Sequence, residues 1–309
     1  MKKETRALWL LLLTAVIWGF AFTAQKSGAS AMSAMAFGAW RYPAGAAVVF
    51  LVCLPLKRRA GQPWFDKRAI LPGMLVGTVL FIASTLQQLG VERIGAGKCG
   101  FLTALYVVLV PVLGWLFFRR KTAAGTWAAL GLAVAALYLI CGTEGSLLPA
   151  PGDWLALGGA LFWALHILCT DLVSGRSSPL DMCAVQFFWC GMLALAGSLL
   201  TGTAAGPEAA LSIWPELLYV SVLSTAAGYT LQTLGQRDAR PAHAAIVLSM
   251  ESVFSVLGGV IFLGERMKWP SYAGCAVMLA AVLLSQLSGA GKADGPAGGD
   301  DGSVSAPGG

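Results

Sequence analysis

Long apolar runs, separated by short polar breaks, occupy most of this chain. Ten of these runs are long enough, at about 1.5 Å per residue in a helix, to cross a hydrocarbon layer about 30 Å thick. The pattern therefore predicts an all-α integral membrane protein with ten transmembrane helices. The predicted spans are residues 7–25, 34–56, 70–90, 98–118, 124–142, 152–173, 181–201, 214–235, 243–263 and 270–288.

The two ends of the chain differ from this pattern. Basic residues followed by the apolar run from Leu8 to Ile17 are also typical of a secretory signal. A retained first span is favoured because a matching segment occurs later in the chain. Residues 290–309 are rich in Gly, Ala, Pro and Asp, so we expect a disordered cytoplasmic tail there.

The chain matches itself when it is shifted by 145 residues. Trp18 falls on Trp163, and residues 85–90 fall on residues 230–235 with five identities in six. A constant offset that includes Gln and Trp is hard to attribute to shared apolar bias. We therefore predict two five-helix repeats, residues 1–145 and 146–289.

An odd number of spans in each repeat implies that the second copy enters the membrane from the opposite side. With the N-terminus inside, fifteen Lys and Arg residues lie on the inner side and five on the outer side, while Arg41 lies within a span. This excess follows the positive-inside rule. We expect inverted repeats, both termini in the cytoplasm, and a location in the plasma (inner) membrane.

Composition narrows the class of function. The chain is 57% hydrophobic and 12% charged, whereas soluble domains contain about 45–50% apolar and about 25% charged residues. The net charge of +6 is not arranged as a basic stripe with aromatics, so nucleic acid is not an expected partner. None of the seven cysteines forms C-x-x-C, and there are only two histidines, so no metal or other cofactor is expected.

No sequence motif supports enzyme chemistry or ATP hydrolysis. The chain has neither a Walker A motif nor a G-x-S-x-G nucleophile elbow. Uphill transport would then need a proton gradient or an exchanged solute. We predict that the protein is not an enzyme.

Several short segments resemble those of EamA-type (RhaT-like) transporters in the drug/metabolite transporter superfamily. They are Trp18-Gly19-Phe20, Arg41, Met250–Phe254 and Phe262–Arg266. The likeness covers about residues 7–287. It implies a carrier for small organic molecules, since members of the family move amino acids, sugars, nucleotide sugars and drugs.

Inverted repeats place a substrate near the membrane midplane, between the halves. Polar groups are costly in lipid and should face the interior or a water-filled cavity there. The predicted substrate pathway consists of Trp18, Arg41, Ser84, Gln87, Gln88, Tyr106, Trp163, His166, Gln186, Gly228, Gln232, Glu251 and Ser255.

The two charged members of this set each have several possible roles. Glu251 is either a group that couples transport to protons or binds a substrate amine, or a structural glutamate between helices. Arg41 pairs with Glu251, binds a substrate anion, or extends towards the interface. Their repeat equivalents are Tyr106 and Gln186, so the halves differ in charge.

The uncharged members also keep two interpretations. Amide, hydroxyl and glycine positions such as Gln88 and Gly228 either contact substrate or join helices together. Trp18 and Trp163 either form a wall for planar or cationic substrates or belong to an interfacial belt. His166 either titrates near neutral pH or is a satisfied interhelical histidine.

The sequence thus predicts a secondary transporter in the lipid bilayer. We expect an exporter or exchanger of small organic metabolites, such as amino acids or drugs, that alternates access between its two repeats. The alternatives are a non-transporting membrane partner or receptor and a membrane-embedded enzyme acting on lipid-linked substrates. A monomer and a homodimer both remain open.

Overall fold

A computed structural model describes residues 2–59, 61, 63–119, 124–141, 149–173, 177–238, 247–248 and 250–293. All regular structure in these residues is helical, which confirms the predicted all-α class for the described part of the chain. The helices are α1 Lys2–Gly28, α2 Ala34–Arg59, α3 Ile70–Arg93, α4 Ala96–Ala104, α5 Tyr106–Phe118, α6 Ala124–Cys141, α7 Pro151–Val173, α8 Pro179–Leu200, α9 Pro207–Ser212, α10 Trp214–Leu218, α11 Gly228–Asp238, α12 Glu251–Leu263 and α13 Trp269–Ala293.

The protein is a multi-pass membrane protein. Within the described residues, six helical stretches are long and apolar enough to cross a bilayer, and three further apolar helices are shorter. The predicted count of ten spans stays a prediction, because the beginning of the ninth predicted span lies outside the described residues. The six stretches are Thr5–Gly28, Ala34–Arg59, Lys67–Arg93, Ala96–Phe118, Pro151–Val173 and Pro179–Leu200.

Hydropathy does not reveal that the predicted spans at 98–118 and 214–235 depart from a regular α-helix. The span at 98–118 divides into α4 and α5 at Leu105. The span at 214–235 is a continuous helix, residues 214–238, in which a π-helical segment, Tyr219–Ala227, joins α10 to α11. At the C-terminus α13 extends to Ala293, so the first residues of the predicted tail are helical and the rest lies outside the described residues.

The interruption between α4 and α5 recurs in the second repeat. The backbone N–H of Leu105 donates to the carbonyl of Leu102 at 3.3 Å, and the N–H of Met250 donates to that of Val247 at 3.2 Å. Each pair of residues is related by the offset of 145. Tyr106 and Glu251 are therefore the first residues of α5 and α12, and Glu251 begins a helix rather than lying in the interior of one as its predicted span implied.

Packing between helices takes place mainly across the two repeats. α2 packs on α8 and α6 on α13, so each of these helices contacts its own repeat equivalent, and α4 packs across the repeats on α12. α3 packs on α7, and the equivalent 214–238 helix packs on α1. Contacts that persist when the repeats are exchanged indicate a pseudo-two-fold relation. The buried core is consequently shared between the repeats.

Polar contacts between the repeats close both ends of the bundle. At one end Lys57 pairs with Asp181, which also accepts from the backbone N–H of Asp66 at 3.0 Å. At the other end Lys98 Nζ lies 2.9 Å from Asp153 Oδ1. α3 connects these ends, and its 24 residues give a separation of about 36 Å. All four side chains of the two ion pairs are buried.

Asp66 stabilises the first of these ends in a second way. Its carboxylate accepts from the backbone N–H groups of Arg68 at 3.0 Å and Ser178 at 3.1 Å. These two bonds hold the pKa of Asp66 below its ordinary value, because they favour the charged form. Asp66 thus ties the loop before α3 to the start of α8.

Candidate functional site

A small cavity between α2, α3 and α8 brings together three residues of the predicted substrate pathway, Arg41, Ser84 and Gln88. It measures about 10 Å³ for a water-sized sphere, roughly the room that one water molecule needs. The bundle is therefore closed around this point. The other lining residues are Ala34, Phe37, Gly38, Tyr42, Phe81, Thr85, Cys190 and Ala194.

The guanidinium of Arg41 extends from α2 to the π-helical segment of the other repeat. Its Nε donates to the Thr225 hydroxyl at 3.1 Å, and its Nη2 donates to the Ser224 hydroxyl at 3.2 Å. Its Cζ lies 5.0 Å from the centre of the Tyr42 ring, which is a cation–π distance. Among the described residues Arg41 has no ion pair with Glu251, so that alternative is not the one the structure adopts.

Gln88 has one satisfied and one unsatisfied polar atom. Its Nε2 donates to the backbone carbonyl of Gln25 on α1 at 3.0 Å. Its Oε1 is buried and accepts no hydrogen bond within the described part of the chain. One turn earlier, the Ser84 hydroxyl donates to the carbonyl of Phe81 at 3.3 Å. Gln88, one of the residues that line the cavity, therefore carries a buried acceptor without a partner among the described residues.

Four other predicted residues form a polar chain between α3, α7 and α8. The indole Nε1 of Trp163 donates to Oε1 of Gln87. The Trp163 ring meets the His166 ring edge to face, with 5.6 Å between centroids. Nε2 of His166 lies 3.0 Å from Oε1 of Gln186. His166 is thus a hydrogen-bonded interhelical histidine, as one of its two interpretations required.

Trp18 has a different partner from its repeat equivalent Trp163. Its indole Nε1 donates to the backbone carbonyl of Ser224 at 2.9 Å, within the π-helical segment. Gly228 permits this approach, because a Cβ at that position would collide with the Trp18 indole nitrogen. Trp18 also packs edge to face on Tyr229 at 5.1 Å. Both Trp18 and Gly228 are therefore fixed by interhelical packing.

Tyr229 connects these groups at the centre of the bundle. Its ring lies 5.1 Å from the Phe187 ring, and Phe187 stacks on Tyr42 at 6.3 Å. Tyr106 is close enough to Tyr229 for the two side chains to interact electrostatically. Ring contacts thus run from Tyr42, which lines the cavity, through Phe187 to Tyr229.

Glu251 and Tyr106 lie together where α12 and α5 begin. Their side chains are within hydrogen-bonding reach, and Glu251 is only 6% exposed. The position at a helix N-terminus favours a carboxylate. Ser255 does not join this pair, because its hydroxyl donates to the carbonyl of Ser252 at 2.7 Å and packs against Gly100.

Gln232, the repeat equivalent of Gln87, is half-buried. Its side chain makes no hydrogen bond in the part of the chain that the structure describes, since Trp18 donates to Ser224 instead. Repeat symmetry would pair Gln232 with Trp18, as Gln87 pairs with Trp163, but the structure does not form that pair. The place of Gln232 in the substrate pathway stays a prediction.

The Trp18-Gly19-Phe20 segment joins three elements through three successive residues. Trp18 faces the π-helical segment, as described above. Gly19 packs so closely on α12 that a Cβ would lie 2.7 Å from the Glu251 carbonyl oxygen. Phe20 meets Phe262 edge to face at 5.8 Å. The segment therefore positions α1 between the two helices that carry Tyr229 and Glu251.

The Leu263-Gly264-Glu265 segment closes a helix and caps another. Gly264 ends α12 with φ +65°, a left-handed conformation that glycine adopts without strain. Glu265 then accepts from the backbone N–H groups of Ala96 at 2.7 Å and Gly97 at 3.2 Å. These are the first N–H groups of α4, so the carboxylate caps a helix of the other repeat.

Several residues of this site were missed by sequence reasoning. Tyr42 and Tyr229 have the ordinary appearance of core aromatics, and no sequence signal distinguishes them. Asp153 and Asp181 did carry a signal, since each is an acidic residue in the first turn of an apolar helix. A buried carboxylate there needs a cationic partner.

The chain has clear relatives among known proteins. The model of the EamA-like transporter family matches residues 5–142 and again residues 150–287, which confirms the resemblance and the two-repeat architecture. A crystal structure whose description names no function superposes on this chain with a TM-score of 0.65 at 14% identity. The superposition covers 94% of this chain and 99% of the other chain. That likeness shows the fold alone.

Three curated relatives are similar along most of their length. An uncharacterized transporter of Archaeoglobus fulgidus is 28% identical, covering 90% of this chain and 84% of its own. The threonine/homoserine exporter RhtA of Salmonella typhimurium is 25% identical, covering 93% and 96%. A probable terminal-alkyne amino-acid exporter of Streptantibioticus cattleyicolor is 23% identical, covering 91% and 94%.

Proposed function

This chain belongs to the EamA-like transporter family, and from that premise we propose that it is a secondary transporter that exports small organic metabolites, with amino acids as the favoured class. The observation that carries the proposal is the match of both repeats to the family model. The relatives named as exporters of threonine, homoserine and an alkyne amino acid favour amino acids as cargo. Each of these relatives is named as a transporter and none as an enzyme.

The proposed topology has ten spans in two inverted repeats, with both termini in the cytoplasm and the protein in the inner membrane. Domain limits of 1–145 and 146–289 follow from the repeat. The excess of basic residues on one side supports the orientation. The contacts of α2 and α6 with their own equivalents, α8 and α13, support a two-fold relation between the repeats.

The proposed mechanism is alternating access between the repeats. Cross-repeat ion pairs at both ends of α3 enclose a cavity that holds about one water, which is what an occluded intermediate requires. Opening towards either side would separate one pair while the other holds. Related halves make the two open states similar in energy.

Glu251 is the proposed coupling group. Its carboxylate is buried at a helix start, beside the Tyr106 hydroxyl, and is the acidic residue of the predicted pathway. A buried carboxylate that takes up and releases a proton as access alternates would link export to a proton gradient. Arg41 is proposed to bind the anionic group of the substrate.

Flux in proteoliposomes tests this function. Purified protein would be reconstituted with an imposed pH gradient, and uptake of radiolabelled threonine, glucose, uridine and a cationic dye would be followed. We expect gradient-dependent accumulation of threonine at least about tenfold above protein-free vesicles. Lack of flux for every solute would contradict the transporter, and flux of the other solutes without threonine would contradict the amino-acid class.

A further inference from the structure

Two residues with complementary polar groups, Arg41 and Gln88, line the cavity between α2, α3 and α8. We infer that this cavity binds the charged head of a zwitterionic amino acid, with Arg41 holding the carboxylate and Oε1 of Gln88 accepting from the ammonium group. The inference rests on the proposed function, because it takes amino acids as the cargo. It assigns recognition of the ammonium group to an amide on α3 rather than to Glu251, which does not line the cavity.

The Arg41 side of the cavity offers a cation to an anionic ligand. A guanidinium has five N–H donors, and the bonds to Thr225 and Ser224 use its Nε and Nη2. Both partners are neutral hydroxyls, and within the described residues the guanidinium has no carboxylate partner. A substrate carboxylate would supply the missing counter-charge through hydrogen bonds from the remaining N–H groups.

The Gln88 side of the cavity offers an acceptor whose orientation is fixed. Only the amide nitrogen can donate to the Gln25 carbonyl, so the 3.0 Å bond determines which end of the amide is the oxygen. That oxygen is buried and lacks a partner in the described part of the chain, and Gln88 is 3% exposed. Leaving a buried acceptor unpaired is unfavourable, and an ammonium donor would satisfy it.

The combination distinguishes between classes of substrate. A sugar carries no charge to neutralise Arg41, and an organic cation without a carboxylate would be repelled by it. Phe37, Tyr42 and Phe81 add an aromatic lining to the cavity, which has room for about one water and must therefore widen to admit a ligand. A zwitterion therefore matches the polar groups of the cavity best, and a short side chain requires the least widening.

Binding of chemically modified ligands tests the assignment. Wild-type protein in nanodiscs would be titrated with L-threonine, L-threonine methyl ester and N-acetyl-L-threonine. The ester lacks the carboxylate charge and the acetyl derivative lacks the ammonium. Hydrogen bonds to charged groups lead us to expect threonine to bind roughly 10- to 100-fold more tightly than either derivative.

Two variants separate the contributions of the two residues. Arg41→Gln should abolish the preference for threonine over its ester and retain the preference over the acetyl derivative. Gln88→Met, which keeps the side-chain length, should do the reverse. Thr78→Val is the matched control, since Thr78 lies on the exposed side of α3, where it bonds to Met74 and Trp189. It should preserve both preferences, and thermal unfolding would check that each variant folds.

The outcomes distinguish this inference from the function on which it rests. If wild-type protein transports threonine but binds all three ligands equally, the charged-head site is wrong and the exporter stands. The same conclusion follows if Gln88→Met leaves the ammonium preference intact. If threonine is not transported while another solute is, the amino-acid class itself is wrong.

Discussion

α3 and the 214–238 helix occupy equivalent places in the two repeats, but they meet their partners differently. In α3, Gly73 and Gly77 let the helix approach α8 closely, and Gln87 further along receives an indole N–H from α7. The 214–238 helix has Leu218 and Val222 at the positions equivalent to the two glycines, and it becomes π-helical there. Its carbonyls and hydroxyls then face α1 and α2.

This difference shows how a symmetric scaffold acquires an asymmetric site. π-helical segments change the direction of backbone groups and often occur at functional sites. Here Ser224 provides a carbonyl to Trp18 and a hydroxyl to Arg41. The corresponding helix of the first repeat, α3, contributes the side-chain amide of Gln87 instead. The two repeats therefore share their packing and differ in the chemistry that they present to the centre.

The largest expected effect concerns the two buried ion pairs, whose residues also differ between the repeats. The repeat equivalents of Lys98 and Asp153 are His243 and Leu8. Asp153→Ala should lower the free energy of unfolding by about 3–5 kcal/mol, since it removes the carboxylate that lies 2.9 Å from the buried Lys98 ammonium. The double variant Lys98→Met with Asp153→Leu should recover most of that loss.

Chemical denaturation in detergent would measure both variants of this pair. Wild-type-like stability of Asp153→Ala would show that Lys98 reaches water or another anion when its partner is removed. The corresponding pair at the other end, Lys57 and Asp181, provides the matched comparison, because it is buried to a similar degree.

The second effect concerns the pair that begins α5 and α12. Glu251→Gln should reduce gradient-driven threonine flux by about 100-fold, because the amide cannot release a proton, while Tyr106→Phe should cost only about tenfold or less. Exchange between threonine inside and outside needs no gradient and should survive in Glu251→Gln. Uphill flux that continues in Glu251→Gln would exclude this carboxylate as the coupling group.

The smallest effect tests the contact that distinguishes the 214–238 helix. Gly228→Ala places a methyl group against the Trp18 indole and should destabilise the protein by about 1–3 kcal/mol through overpacking. Gly131→Ala on α6 is the control, because a Cβ at that position would have no neighbouring atom within 4 Å. That control should be neutral or slightly stabilising. Equal thermal midpoints for the two variants would contradict the packing at Gly228.

Much of the site could be predicted as a set of residues, but not as a set of contacts. Repeat symmetry and polarity selected Gln87, Trp163, His166 and Gln186, and the structure joins them in one chain. The same reasoning would pair Trp18 with Gln232, and there the π-helical segment intervenes. Apolar periodicity does not distinguish an α-helix from a π-helix, because both kinds of segment are hydrophobic in a membrane span.

The sequence by itself determined that the chain is a helical membrane protein made of two related halves. Those properties depend on long apolar runs and on a constant offset, which can be read along the chain without knowledge of its partners. Tertiary structure alone decided that Arg41 meets neutral hydroxyls, that the Gln88 oxygen has no partner among the described residues, and that Lys98 pairs with Asp153. Each of these depends on which helix faces which, and residues distant in sequence carry no mark of their partners.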